Sequence, residues 1–274
     1  TMEAYAAAKA KLFRQADCSV INLDDAYAQQ MIDAAAGKTV TFSLRNNKAD
    51  LIAKSIRFLP HAAEFEALTL DSIQRMRINI PGAFSVENAL TAVGICNAVG
   101  VSLPDIAEGL AGASGVCGRA EIVPVGQPYT VMIDYAHSPD SLSNILKTVR
   151  PVTEGQLIVV FGCGGDRDRT KRPIMGRIAE CMADFCIVTS DNPRTEEPEA
   201  IIDEIVGGMK KTNHIRIENR RKAIGHALDM AKPGDFVLIA GKGHEMYQEI
   251  QGVRHPFDER EVVRTHLQGK GLLS

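Results

Sequence analysis

Apolar and polar positions alternate along this chain in two different rhythms. Residues 3–13 form an alanine-rich helical stretch. From 18 to 80 the pattern predicts a strand at 18–23, a helix at about 25–35, and further strands at 39–44, 52–59, 65–70 and 75–80. Short alternating segments joined by polar turns imply a partly antiparallel sheet. Val86, Leu90, Val93 and Cys96 then recur at helical spacing within 85–99. Pro104 suits the first turn of another helix, where a backbone N–H has no partner to lose.

Around 112–118 the chain becomes small and flexible, which marks a boundary between a domain at 1–116 and a second at 117–274. Beyond it, strands at 131–135, 157–161, 185–190, 214–218 and 236–240 are each followed by a helical segment, at 139–149, 170–182, 198–210, 221–231 and from 243 onward. Five βα repeats predict a Rossmann-like, doubly wound, mainly parallel sheet. The fold class is therefore α/β, a mixed sheet with helices followed by a Rossmann-like domain.

Open α/β sheets bind ligands beyond the carboxyl ends of their strands. Those ends carry Asp134-Tyr135-Ala136-His137, Gly162-Cys163-Gly164-Gly165-Asp166-Arg167, Asp191-Asn192-Pro193-Arg194, Glu218-Asn219-Arg220-Arg221 and Gly241-Lys242-Gly243-His244-Glu245. Pro193 stiffens its loop, so Asp191, Asn192 and Arg194 can be held in one geometry. An acceptor, an amide and a guanidinium fork suit a small zwitterion. Four residues alone also read as an Asx-turn with a solvated arginine. Charges and glycines gathered on one rim favour a site instead.

Composition narrows the function without naming it. The 274 residues are 45% hydrophobic and 24% charged with net charge −3, so no basic excess points to nucleic acid. No apolar run approaches the ~20 residues of a membrane span, and residues 1–13 lack the pattern of a signal peptide, so a cytoplasmic protein is expected. Six cysteines without a C-x-x-C pair read as reduced, mostly buried thiols. The chain opens on Thr1 rather than Met, and a piece of something longer is expected.

Two phosphate-binding patterns fall short. Gly162 to Gly165 follows a buried strand, and its glycines permit a positive φ and close approach to an anion, but G-x-G-x-x-G is incomplete. Arg167, Arg169, Lys171 and Arg172 read as a clamp for phosphate or carboxylate, or as the exposed start of a helix. Gly37-Lys38-Thr39 has Ile32 where a P-loop needs glycine and precedes a strand, so it is read as a turn. His137 is a candidate general base or a hydrogen-bonding positioner. Lys9, Asn88 and Arg119 carry no signal of their own.

Taken together, Asp134 to Asp140, Phe161 to Pro173, Asp191 to Pro198 and Gly241 to Glu245 resemble the Mur ligases, along essentially the whole chain. Asp-Asn-Pro-Arg is the form of the members that add meso-diaminopimelate. The resemblance implies an ATP- and Mg²⁺-dependent ligase of peptidoglycan synthesis, expected to be monomeric. The γ-carboxyl of D-glutamate in UDP-MurNAc-dipeptide is phosphorylated, and the amine of diaminopimelate attacks the acyl phosphate. It implies that Arg167, Asp191, Asn192, Pro193, Arg194, Gly241 and Glu245 hold diaminopimelate. Asn88, Arg119 and Asp134 would lie on the nucleotide side with His137, and Lys9, carbamylated by CO₂, would be a Mg²⁺ ligand. The first domain would be the C-terminal part of the family's central ATPase domain.

Ser85, Cys117 and Ala120 depart from the family pattern, where Asn, Pro and Met are usual. Without a P-loop within it, the chain alone is expected to bind ATP poorly and not to ligate. A folylpolyglutamate synthase-like ligase and a non-catalytic binding module for an amino acid or anion are the competing readings.

Overall fold

Buried positions alternate along Leu51–Leu59 (β3), Ala62–Leu68 (β4) and Ile73–Ile78 (β5), giving a sheet one apolar face to cover. In the computed structural model, which describes residues 1–113 and 115–272, these strands join Cys18–Asn22 (β1) and Lys38–Ser43 (β2) in the order β1-β2-β3-β4-β5. The first three are parallel and the last three antiparallel, so the sheet is mixed. Ala83–Ala98 (α3) lays Val86, Ala89, Leu90 and Val93 on it, and Leu103–Gly112 (α4) adds Ile106. Ser102 caps α4 and Pro104 occupies its first turn. Met2–Phe13 (α1) packs on Ala28–Ala34 (α2), and Gly37 turns into β2, where a Cβ would stand 2.1 Å from Asp17 O. These elements belong to one compact unit, Thr1–Ser114, and a second covers Gly115–Ser274. Ser114, inside the expected boundary stretch, lies outside the described residues.

The second unit holds a six-stranded sheet built from Glu121–Val123 (β6), Thr130–Asp134 (β7), Leu157–Phe161 (β8), Phe185–Val188 (β9), His214–Arg216 (β10) and Phe236–Ala240 (β11). Its order is β10-β9-β8-β11-β7-β6, parallel except for β6. β8 and β11 are buried at every position, as strands covered on both faces must be. Pro139–Val149 (α5), Lys171–Met182 (α6) and Pro198–Val206 (α7) pack side by side; Arg220–Met230 (α8) packs with Glu259–Gly269 (α9). Ile158, Val160, Val237 and Ile239 meet Ile224, Val263 and Leu267 in the core beneath α8 and α9.

The mainly parallel βα sheet follows the sequence pattern, with three differences. The short strand β6 adds an antiparallel edge. Helix α7 stops at Val206, where two glycines follow. After β11 no helix starts at 243: the chain forms an antiparallel hairpin, Tyr247–Ile250 (β12) and Val253–Pro256 (β13), before α9. Its turn, Gln251-Gly252, takes positive φ at both residues, 49° and 74°, the twist that suits a tight hairpin. Among the described residues no helix is long and apolar enough to cross a membrane.

Candidate functional site

The rim of the second unit is assembled from loops after β8, β9 and β11, clasped by the β12–β13 hairpin. Asp191 and Asn192 are buried as β9 ends. Asp191 Oδ1 accepts the Asn192 N–H at 2.7 Å, and a Cβ on Gly241 would stand 2.6 Å from Asp191 Oδ2. Gly241 has φ 124°, so both its conformation and the neighbouring carboxylate require glycine. Asn192 donates from Nδ2 to Glu245 Oε2 at 2.7 Å; its Oδ1 accepts from Lys242 Nζ at 2.8 Å and from the Glu249 N–H at 2.9 Å.

Arg194 sits in the left-handed region at φ 52°, which is uncommon for a side chain with a Cβ. The hairpin holds it there. Its N–H donates to Glu249 O at 3.0 Å and its carbonyl accepts from the Gln251 N–H at 2.6 Å. Its guanidinium donates through Nη1 to Gly165 O at 2.6 Å, while Nε lies 3.8 Å from Glu249 Oε2. A Cβ on Gly164 would meet Arg194 Nη1 at 2.9 Å and Arg167 Cγ at 3.8 Å, so two arginines flank that glycine. Arg167 is exposed.

None of Gly162, Gly164 and Gly165 takes a positive φ. Their role is packing. A Cβ at Gly162 would lie 2.2 Å from Thr189 O, and at Gly165 1.9 Å from Pro193 O. The expectation of positive φ in this loop is corrected: two of the glycines let the loop after β8 press on the loop after β9.

The four-cation clamp is also largely dismantled. Arg172, fully buried, pairs with Glu196 and Glu204 at 2.8 Å each, and Arg169 pairs with Glu204. Arg172 holds the Glu196 carboxyl down to about 2. Lys171 donates to His137 O at 2.7 Å. Arg167 alone of the four makes no side-chain hydrogen bond among the described residues.

At the end of β7, Asp134 accepts the Ala136 N–H at Oδ1 and the Ala120 N–H at Oδ2, both at 2.8 Å. Burial pushes its carboxyl above the ordinary range, against the pull of these two donors and of Arg119. Asp134 thus ties the Gly118-Arg119-Ala120 segment to the sheet. Arg119 is exposed and stands over the Tyr135 ring at 5.1 Å; Tyr135 in turn neighbours the rings of His137 (4.6 Å) and His244 (5.0 Å). His137 Nδ1 lies 2.9 Å from Tyr135 O, leaving Nε2 free.

In the first unit Lys9 is exposed on α1, its ammonium 5.5 Å from the Tyr5 ring centre, beside a groove of about 380 Å³ that Met2, Tyr5 and Tyr27 also line. Asn88 is exposed on α3, and the buried Ser85 hydroxyl donates to Pro81 O at 2.8 Å. Among the described residues no group of three His, Cys, Asp or Glu side chains is placed to hold a metal ion. All six cysteines are free, but only Cys163 and Cys186 are buried, with thiols pushed up to about 12 by desolvation; Cys117 and Cys181 are exposed.

Three features of the rim have no counterpart in the expected set: Lys242, the Glu249 strand that grips Arg194, and the fully buried Arg220–Glu259 pair at 2.7 Å beneath it. Arg220 also donates to Ala240 O at 2.9 Å, bracing the end of β11.

The family model described as the Mur ligase middle domain matches residues 1–96, and that of the Mur ligase glutamate ligase domain matches 118–243. The chain belongs to the Mur ligase family. It is 47% identical over 266 residues to the UDP-N-acetylmuramoyl-L-alanyl-D-glutamate--2,6-diaminopimelate ligase of Clostridium tetani, covering 96% of this chain and 55% of that protein. A solved structure of a ligase with that name aligns with TM-score 0.75 and 39% identity over 99% of this chain and 57% of the other. The chain therefore spans about half the length of the Mur ligases it matches. Folylpolyglutamate synthase from Thermotoga maritima, at 22% identity and TM-score 0.62 over 79% of this chain and 49% of the other, shares the fold.

Proposed function

We propose that this chain carries the amino-acid-adding half of an ATP-dependent ligase. Such a ligase joins meso-diaminopimelate to the D-glutamate γ-carboxyl of UDP-N-acetylmuramoyl-L-alanyl-D-glutamate in peptidoglycan synthesis. The Clostridium tetani relative and the solved structure at 39% identity are by name ligases of 2,6-diaminopimelate with UDP-N-acetylmuramoyl-L-alanyl-D-glutamate. The observation that carries the reading here is Arg194, held by the hairpin with Nη1 on Gly165 O and Nη2 in no hydrogen bond among the described residues, beside Gly164 with Arg167 and two residues from the Asn192 that bonds Glu245.

The chemistry follows from the rim. Arg194 and Arg167 offer bidentate donors to a carboxylate. Asp191 and Glu245 offer acceptors to an ammonium, and Gly241 lets the backbone come close. An amino acid with a second, distal carboxylate satisfies both ends. Lysine would leave Arg194 without a substrate carboxylate, with Glu249 Oε2 3.8 Å from Nε and beyond hydrogen-bond reach; the lost charge-assisted bond costs about 1.5–3 kcal/mol, or roughly 10- to 150-fold in selectivity. Holding the amine still beside an activated carboxyl is the main service such a domain provides.

Arg119 and His137 are assigned to the nucleotide side, with Asp134 as the anchor that presents Arg119. Within the first unit, Asn88 is proposed as a nucleotide contact and Lys9, once carbamylated, as a residue that would hold Mg²⁺.

The test is an amino-acid panel on the gene's full-length product with ATP and the UDP-linked dipeptide, read as phosphate release and product mass. Turnover is expected with meso-diaminopimelate. Turnover with L-glutamate and a folate instead would move the protein to the folylpolyglutamate synthases, and no turnover with any amino acid would leave a binding module.

A further inference from the structure

Lys242 directly follows Gly241 at the end of β11 and is flanked by two glycines of positive φ, 124° and 55°. Its side chain is fully buried. An ammonium withdrawn from water costs several kcal/mol unless its surroundings replace the lost hydration. They do so here through three groups: Asn192 Oδ1 at 2.8 Å, Glu245 Oε2 at 3.2 Å and the face of Tyr247 at 5.5 Å.

These contacts close a ring. Asn192 Oδ1 takes two donors, Lys242 and the Glu249 N–H, so both its lone pairs are used. That fixes the amide so that Nδ2 faces Glu245 Oε2. Left over are the second Asn192 N–H and Glu245 Oε1, one donor and one acceptor on two side chains already joined at 2.7 Å. A zwitterion carries the complementary pair. Without the ammonium, Asn192 Oδ1 keeps only the Glu249 N–H and Glu245 Oε2 only the Asn192 amide, so each group is held by one contact instead of two and can swing out of place.

We propose that Lys242 is a positioning residue of the amino-acid site: it locks Asn192 and Glu245 in the one orientation that presents an amide N–H and a carboxylate oxygen to the incoming amino acid. The proposal rests on the reading of this rim as the diaminopimelate site. Lys242 acts through its two neighbours and does not touch the substrate.

The experiment compares wild type with Lys242→Met in the gene's full-length product, measuring KM for meso-diaminopimelate, KM for ATP, kcat and Tm. A tenfold or larger rise in KM for meso-diaminopimelate is expected, with KM for ATP within twofold and kcat changed less than KM. An unchanged KM for the amino acid overturns the proposal, as does a parallel loss in both KM values with a large fall in Tm, which marks a purely structural lysine. Should Lys242→Met not accumulate as folded protein, Lys242→Gln, which keeps a donor and loses the charge, carries the same two outcomes. Wild type inactive with meso-diaminopimelate would refute the site reading itself. Wild type active and Lys242→Met identical to it would refute only the role of Lys242.

Discussion

Replacing Gly165 by alanine tests whether the loop after β8 sets the position of Arg194. The added Cβ would stand 1.9 Å from Pro193 O, whereas carbon and carbonyl oxygen settle no closer than about 3.3 Å. Pro193 must therefore retreat by roughly 1.4 Å, or Gly165 must move away from it by as much. Either movement strains the Gly165 N–H to Asn192 O bond at 2.9 Å and the Arg194 to Gly165 O bond at 2.6 Å. Overpacking of this kind costs about 1–3 kcal/mol of stability. A displacement of about 1 Å at a reacting centre can cost on the order of 100-fold in rate. Gly165→Ala is thus expected to lower kcat/KM for meso-diaminopimelate by about two orders of magnitude, measured by phosphate release at varied amino acid. Gly109→Ala, in α4 with no atom within 4 Å of the new methyl, is the matched control and should leave kcat/KM alone while stabilising the helix by up to about 1 kcal/mol. A Gly165→Ala enzyme within twofold of wild type would refute the claim that this contact fixes the loop.

Glu196 gives a pH test. Its carboxyl lies near 4.5 ordinarily and at about 2 beside Arg172, a depressed value, so its stabilisation is present above about 4.5 and is lost as pH falls toward 2. Acid unfolding followed by circular dichroism should show that loss in the wild type and a shallower slope in Glu196→Gln; identical curves would contradict the pairing. Among the thiols, Cys117 and Cys181 should react with a thiol reagent in the native protein well before Cys163 and Cys186, whose thiols are buried and pushed up to about 12. Rapid native labelling at Cys163, traced by peptide mass, would show that the strand end is open.

The repeat of strand and helix was legible because each unit of it is local: five apolar runs, proline or polar helix starts, and a glycine-rich interruption between two rhythms. The rim was legible too, since topology alone sends the special residues after β7, β8, β9 and β11 to one edge. What each residue does there was not. Asn192 reads as a free amide until Lys242, fifty positions away, takes its oxygen. Arg172 reads as part of an anion clamp until Glu196 and Glu204 arrive from the next βα unit. The glycines of the loop after β8 read as an anion cradle, and only the backbone at 189–193 reveals why no larger residue fits at 162 and 165. Long-range partners carry no local pattern. The hairpin at 247–256 did leave a signal, the dipeptide Gln251-Gly252 between alternating segments, but the expectation of one more βα repeat masked it.

On the reading proposed here, Arg194 makes this rim select an amino acid with a second carboxylate. Its most direct test is the ratio of kcat/KM for meso-diaminopimelate to that for L-lysine, measured in the gene's full-length product and in its Arg194→Ala variant. A wild-type ratio of at least tenfold is expected, rising to roughly 150-fold if one charge-assisted bond is lost outright, with a fall toward unity in Arg194→Ala through loss of the diaminopimelate rate. An undiminished ratio in Arg194→Ala would contradict it.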